Sequence, residues 1–238
     1  MNKMGFKIKL FADGADIEEM YELYKKNVVS GFTTNPTLMK KAGVKNYEEF
    51  AKQAIKLMPD MPISFEIFSN DFYDMEEEAR EIASWGDNIY VKIPIMNINR
   101  TCSAPLIENL SNDGIKLNVT AILTLDQVDV AVYALSKTTP SVISVFAGRI
   151  ADTGINPDYI MRLSSAKIMR FKNIELLWAS TREVLNILQA EQCGCDIITV
   201  TPDILKKLPM LGKDLTELSL ETVRMFYDDA KSAGYTIL

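Results

Sequence analysis

Along the chain, short runs of apolar and β-branched residues alternate with longer stretches in which apolar positions recur every three or four residues. The short runs, 7–12, 28–33, 63–68, 88–95, 116–122, 141–147, 173–179 and 195–200, read as strands. The longer stretches, 16–26, 46–58, 74–85, 124–137, 156–170 and 181–193, read as amphipathic helices. A short helix near 202–208 and a last one over 215–232 follow. In residues 46–58, Phe50, Ala54, Ile55 and Met58 share one side. Asp, Asn or Thr stands at the start of several of these stretches, as N-caps do. The strands are nearly continuous hydrophobic runs, the signature of a parallel sheet covered by helices. Eight strands alternating with eight or more helices predict a (β/α)8 TIM barrel, one domain over 1–238 ending in the 215–232 helix. A doubly wound sheet is the alternative, but neither G-x-G-x-x-G nor G-x-x-x-x-G-K-[ST] marks a nucleotide site.

Polar residues interrupt this pattern. In the strand "NIYVKIPI" (88–95), Ile89, Val91, Ile93 and Ile95 share one face, and Tyr90 and Lys92 share the other. Glu66 stands opposite the Phe65/Ile67 face, and Asn118 and Thr120 oppose Leu117, Val119 and Ala121. Ser144 lies in the sixth run, so four successive strands each carry a polar residue inside an apolar segment. Taken singly, each has a structural explanation: Asp13 as a turn residue, Asn35 as a turn opener before Pro36, Glu66 and Lys92 as a buried pair, Ser180 or Thr181 as an N-cap. Taken together they ask for more, because unpaired burial is costly and barrel interiors are normally filled by branched apolar side chains. Active sites of this fold lie at the C-terminal ends of the strands. That places Asp13, Thr33, Thr34, Asn35, Arg149, Ser180, Arg182, Thr199 and Thr201 there too. A barrel-centred lysine has a well-known use. Burial disfavours a charged amine, and a neutral amine attacks a ketone to form a Schiff base, an electron sink for C–C cleavage. Asp13 and Glu66 are the candidates for moving protons, and Arg149 and Arg182 suit a phosphate.

Composition narrows the chemistry. There is no histidine, which excludes Ser-His and Cys-His nucleophiles and histidine-based metal sites. The chain of 238 residues carries a net charge of −6, which argues against nonspecific binding to nucleic acid or a membrane surface. No apolar run approaches a membrane span, and charges interrupt the first sixteen residues where a signal peptide would be apolar. Three cysteines, Cys102, Cys193 and Cys195, are too few and too odd for a disulfide framework. They point to a reducing, cytoplasmic setting, with "CGC" read as buried structural thiols.

Seven segments in order, "LFADGAD" (10–16), "GFTTNPTLM" (31–39), "YVKIP" (90–94), "KLNVTAILTLDQ" (116–127), "SVFAGRIAD" (144–152), "ASTREV" (179–184) and "DIITVTPDILKKL" (196–208), resemble the transaldolase family, close to its short members. The resemblance implies a (β/α)8 barrel without cofactor or metal, acting on sugar phosphates in the pentose phosphate pathway, usually as a homo-oligomer. It implies that Lys92 forms the Schiff base, that Asp13 assists proton transfer, and that Glu66 and Thr120 hold a catalytic water. Thr34, Asn35, Asn118 and Ser144 would contact substrate, and Arg149, Ser180 and Arg182 would hold the terminal phosphate. Fructose-6-phosphate aldolases share this scaffold but have Gln and Tyr where this chain has Glu66 and Phe146, so the expectation is the transferase rather than the lyase. The stretch "MNINRTCSAPLIENL" (96–110) departs from the family pattern, with Arg100 either an extra anion contact or a solvated loop charge. That leaves room for a sulfonated ketose or another phosphosugar. The rival of another class is a barrel that binds phosphosugars without turnover.

Overall fold

A computed structural model describes residues 5–237; the first four residues and the last of the expected 1–238 domain lie outside the described residues. Eight parallel strands close into a barrel in sequence order, with β1 paired to both β2 and β8. The strands are β1 (Lys9–Asp13), β2 (Gly31–Thr33), β3 (Ile63–Glu66), β4 (Ile89–Pro94), β5 (Leu117–Ile122), β6 (Ser141–Val145), β7 (Ile174–Trp178) and β8 (Ile197–Val200). The helices are α1 (Ile17–Lys25), α2 (Pro36–Lys41), α3 (Tyr47–Leu57), α4 (Phe72–Ser84), α5 (Ala104–Asn112), α6 (Leu125–Ala134), α7 (Ala147–Asp152), α8 (Asp158–Ile168), α9 (Leu185–Gln192), α10 (Pro202–Leu205) and α11 (Leu215–Ser232). Every expected strand is present, and every expected helix.

Local chemistry explains the helix starts. Asp16, Asn35, Asn46, Asp71, Thr124 and Asp214 each accept a backbone N–H of the first turn. Thr124 and Gln127 form a reciprocal capping box. Each such cap is worth about 1 kcal/mol. Three helices are absent from the expected pattern. α2 and α7 are six residues long, too short to show a period. α5 falls in the stretch read as a loop, although Leu106, Ile107 and Leu110 are buried on one side. The expected strand over 28–33 is reduced to three residues, Gly31–Thr33, after a turn at Asn27 with a left-handed φ of 51°.

Two apolar layers follow from strand alternation. The larger lies between strands and helices and holds Leu10, Phe32, Phe65, Val91, Ile93, Val119, Ile143, Leu176, Trp178 and Ile198. The smaller plugs the lumen: Phe11, Val142, Leu177, Ala179 and Ile197, with Tyr90 and Phe146 packed against them. The Phe11 ring lies over Gly31, where a Cβ would come within 2.5 Å of it. No helix among the described residues is long and apolar enough to cross a membrane.

Candidate active site

Register sets the centre of the site. Glu66, Lys92 and Asn118 are direct neighbours on β3, β4 and β5, and Asp13 neighbours Thr33 across β1 and β2. Because they sit above the apolar plug, their side chains line an open cavity of about 550 Å³ at the C-terminal ends of the strands. Ser144, Phe146, Arg149, Ser180 and Arg182 complete it from β6, α7 and the loop after β7.

Lys92 is only 6% exposed. Its Nζ donates to Glu66 Oε2 at 2.9 Å and to the Thr34 carbonyl at 2.7 Å. Asp13 faces the same space. Burial pushes its carboxyl above the ordinary carboxylate range, against the pull of the Lys92 charge and of the Thr33 hydroxyl. Asn118 donates from Nδ2 to Ser64 Oγ (3.1 Å) and accepts from Ser144 Oγ (2.6 Å). Thr120 Oγ1 is buried and has no hydrogen-bond partner in the protein, the mark of a group that awaits a water or a ligand. Next to it, Ala121 adopts a left-handed φ of 59° where the β5–β6 register breaks. The sequence reading put Ala121 on the outer face; this irregularity turns it into the cavity wall.

The mouth of the cavity is cationic. The Arg149 guanidinium lies 5.6 Å from the Phe146 ring centroid, within cation–π range. Arg182 forks onto Asp152 of α7 through Nε and Nη2, holding that carboxyl below the usual range. Ser180 adopts a left-handed φ of 65°, uncommon for a residue with a side chain. Gly148 explains how that turn is packed, because a Cβ there would lie 1.6 Å from the Ser180 carbonyl oxygen. The first turn of α7 therefore rests directly on the 179–182 backbone.

Of the strand-end and site residues singled out in the sequence, fourteen line this cavity: Asp13, Thr33, Asn35, Glu66, Lys92, Asn118, Thr120, Ser144, Phe146, Arg149, Ser180, Arg182, Thr199 and Thr201. Thr34 differs. Its hydroxyl donates to the Ser64 carbonyl and its side chain is outside the cavity wall, so only its backbone oxygen reaches the site. Asn35 caps α2 with Oδ1, in keeping with a turn opener before Pro36, and also lines the cavity facing Asp13. Neither Ser180 nor Thr181 caps a helix; α9 begins at Leu185, and Thr181 donates to the Thr199 carbonyl instead. Arg100 lies on an exposed turn with φ 62°, away from the cavity wall, as a loop charge would. Cys193 and Cys195 are buried free thiols and Cys102 is exposed. Two residues escaped the sequence reading. Tyr47 donates to the Glu66 carbonyl at 2.8 Å and braces that strand end, and Asp152 orients Arg182. Both act across 19 or more residues of chain, and no local spacing announces them.

Comparison with known proteins bears on the fold and the family. The barrel superposes on 2,3-dimethylmalate lyase with a TM-score of 0.55 at 11% identity, over 98% of this chain and 85% of that one. It superposes on KGPDC from Streptococcus mutans with a TM-score of 0.55 at 12% identity, over 84% and 90%. Those likenesses show the fold. Closer relatives are found by sequence. A probable transaldolase of Bartonella henselae is 34% identical over 232 residues, 97% of this chain and all of that protein. One of Thermoanaerobacter sp. strain X514 is 34% identical over 234 residues with the same coverage. One of Methanococcus maripaludis is 32% identical over 206 residues, 84% and 89% of the two chains. Residues 10–237 match the sequence profile described as transaldolase/fructose-6-phosphate aldolase, and the chain belongs to that family.

Proposed function

We propose that this protein is a transaldolase that moves a dihydroxyacetone unit from a ketose phosphate of the fructose 6-phosphate type to an aldose phosphate, through a Schiff base on Lys92. One observation carries the reading. A nearly buried lysine shares a cavity with two carboxylates, and Arg149 and Arg182, both exposed, stand on the same wall. That set of groups suits a substrate that carries both a carbonyl and a phosphate.

The steps follow from the residues present. Lys92 gives up a proton and its amine attacks the ketone carbon, forming a carbinolamine within reach of Asn35 and Asn118. Loss of water leaves a protonated imine. Asp13 takes the proton of the C4 hydroxyl, the C3–C4 bond breaks, and its electron pair enters the imine to give an enamine while the aldose leaves. An acceptor aldehyde reverses the sequence, and hydrolysis frees the amine. The orphan hydroxyl of Thr120, with Glu66, suits a water that relays these protons. Arg149, Ser180 and Arg182 would hold the phosphate, since a guanidinium fork matches its oxygens. Glu66 and Phe146 favour the transferase over the lyase, which carries Gln and Tyr at these places. Arg149 and Arg182 equally fit the sulfonate of a sulfonated ketose. A cytoplasmic setting and a homo-oligomeric state belong to the same reading. The first rests on the free thiols and the second on the exposed apolar residues of α11.

Incubation with fructose 6-phosphate followed by borohydride should add a donor-derived mass to Lys92. Release of free dihydroxyacetone without any acceptor would assign the lyase instead. Phosphosugar binding with neither trapping nor turnover, retained in Lys92→Ala, would make the barrel a binding protein.

A further inference from the structure

Behind Asp13 stand two hydroxyls that the reaction steps leave unused. On β2, Thr33 Oγ1 donates to Asp13 Oδ1 at 2.9 Å. On β8, Thr199 Oγ1 lies 2.5 Å from the same Thr33 oxygen. β1 runs between these two strands in the closed sheet, with Asp13 in register with Thr33 and Phe11 in register with Thr199. Both threonines are buried, and both reach the cavity wall. The Thr181 hydroxyl, donating to the Thr199 carbonyl at 2.7 Å, fixes the end of β8.

The direction of the two bonds depends on the state of Asp13. A threonine hydroxyl has one proton to give and two lone pairs to receive. An ionised Asp13 can only accept, so the Thr33 proton points to it. The short Thr33–Thr199 bond must then use the proton of Thr199. Once Asp13 holds a proton it can donate to Thr33, whose own proton is free to turn to Thr199. The pair can reverse without moving a heavy atom.

We propose that Thr199 is a positioning residue that acts on Asp13 through Thr33, the two hydroxyls forming a reversible pair that keeps the carboxyl hydrogen-bonded whether or not it carries a proton. The inference rests on the reading of Asp13 as the group that takes and returns the substrate proton. A donor that is itself accepting a hydrogen bond donates more strongly. Thr199 therefore favours the ionised carboxyl, and loss of its hydroxyl alone should push Asp13 upward. The other groups facing Asp13 are Asn35 after β2, Glu66 on β3 and Lys92 on β4. With Arg149 and Arg182 at the mouth they complete the charged lining among the described residues, and a change at Thr199 leaves all of them in place.

The test reads Asp13 directly. Protein carrying 13C in its aspartate carboxyls is titrated by NMR, with Asp13→Asn identifying the signal. Thr199→Val should raise the Asp13 midpoint by about half a unit. Thr199→Ser should restore it. Thr33→Val, which removes the direct donor to a charged acceptor, should raise it by about one unit or more. The acidic limb of kcat should move up with the midpoint, because the ionised carboxyl is the working base. A midpoint unmoved in Thr199→Val would overturn the proposal. So would an equal rise in Thr199→Ser, which would assign the effect to packing. Borohydride trapping of the same wild-type preparation judges the Schiff base separately. Its failure would refute the role of Lys92 and leave the titration to decide on the hydroxyl pair.

Discussion

Asp13 shows what a reactive group costs the fold. Its carboxyl titrates near 4 in an unfolded chain. Burial, the largest influence, sets it higher in the folded one. Over the interval between those two values the folded state binds a proton that the unfolded state has lost. Stability therefore falls as pH rises through that interval and stays lower above it. Asp13→Asn removes the penalty. Thermal unfolding of this variant at pH 7 should begin about 2–4 °C higher than in the wild type, while transfer activity disappears. Well below pH 4 the difference should vanish, because the wild-type carboxyl is then neutral in both states. A gain of the same size at both pH values would mean that the amide packs better, not that a charge was relieved. Single residues were legible in the sequence to the extent that alternation exposes them. Lys92 stood out because Tyr90 and Lys92 share a face that Val91 and Ile93 do not. The pairing of Thr33 with Thr199 was hidden, since 166 residues separate them and only closure of β8 onto β1 brings them together.

At the scale of elements, α7 decides the geometry of the cationic mouth, and it is also the element the sequence concealed. Its six residues carry Gly148, a poor helix former, at the end of a strand-like run, so the apolar pattern alone extends β6 through Ala147. The glycine is there because the helix lies on the Ser180 carbonyl, which has no side chain to swing aside. One turn later Asp152 grips Arg182, so the same side of α7 fixes both ends of the 180–182 loop. Gly148→Ala must push that loop away, and the position of Ser180 and Arg182 changes with it. The loss in stability should be roughly 1–3 kcal/mol, as for other overpacked sites. The functional loss should be selective. Misplacing one charge-assisted contact to the phosphate is worth about 1.5–3 kcal/mol, or a 10- to 100-fold rise in KM for phosphorylated substrates. An unphosphorylated ketose should lose far less. Equal losses for both substrates, measured by steady-state kinetics, would mean that the loop carries no anion contact.

The whole molecule leaves α11 without a place in the barrel. The sequence foretold its span within a residue but not its surroundings, because an amphipathic pattern reports that a face is to be covered and not by which chain. Among the described residues of α11 none is buried. Leu220, Val223, Phe226 and Tyr227 recur along one side of the helix and are all exposed, Val223 by 60% and Phe226 by 62%. A helix of this length draws most of its stability from tertiary packing, and contiguous apolar side chains on a monomer surface mark an interaction site. The barrel itself offers no open sheet edge, since β1 pairs with β8, so strand addition cannot be the route of assembly. The exposed apolar side of α11 makes helix packing there the expected contact. Burial of one such side chain contributes roughly 1.5–3 kcal/mol, and each subunit of a symmetric pair brings its own copy. A glutamate at the centre of the face would leave a charge in the contact, several times more costly than a lost methyl group. Sedimentation equilibrium at micromolar concentration should therefore find the wild type as an oligomer and Val223→Glu or Phe226→Glu shifted to the monomer, with α11 frayed in its far-ultraviolet dichroism. Lys92 and its carboxylates lie in the lumen of a single barrel, so the monomer should still be labelled by ketose and borohydride. A wild type that sediments as a monomer would show that α11 stays solvated in this protein, and the same oligomer in both variants would place the contact on another face.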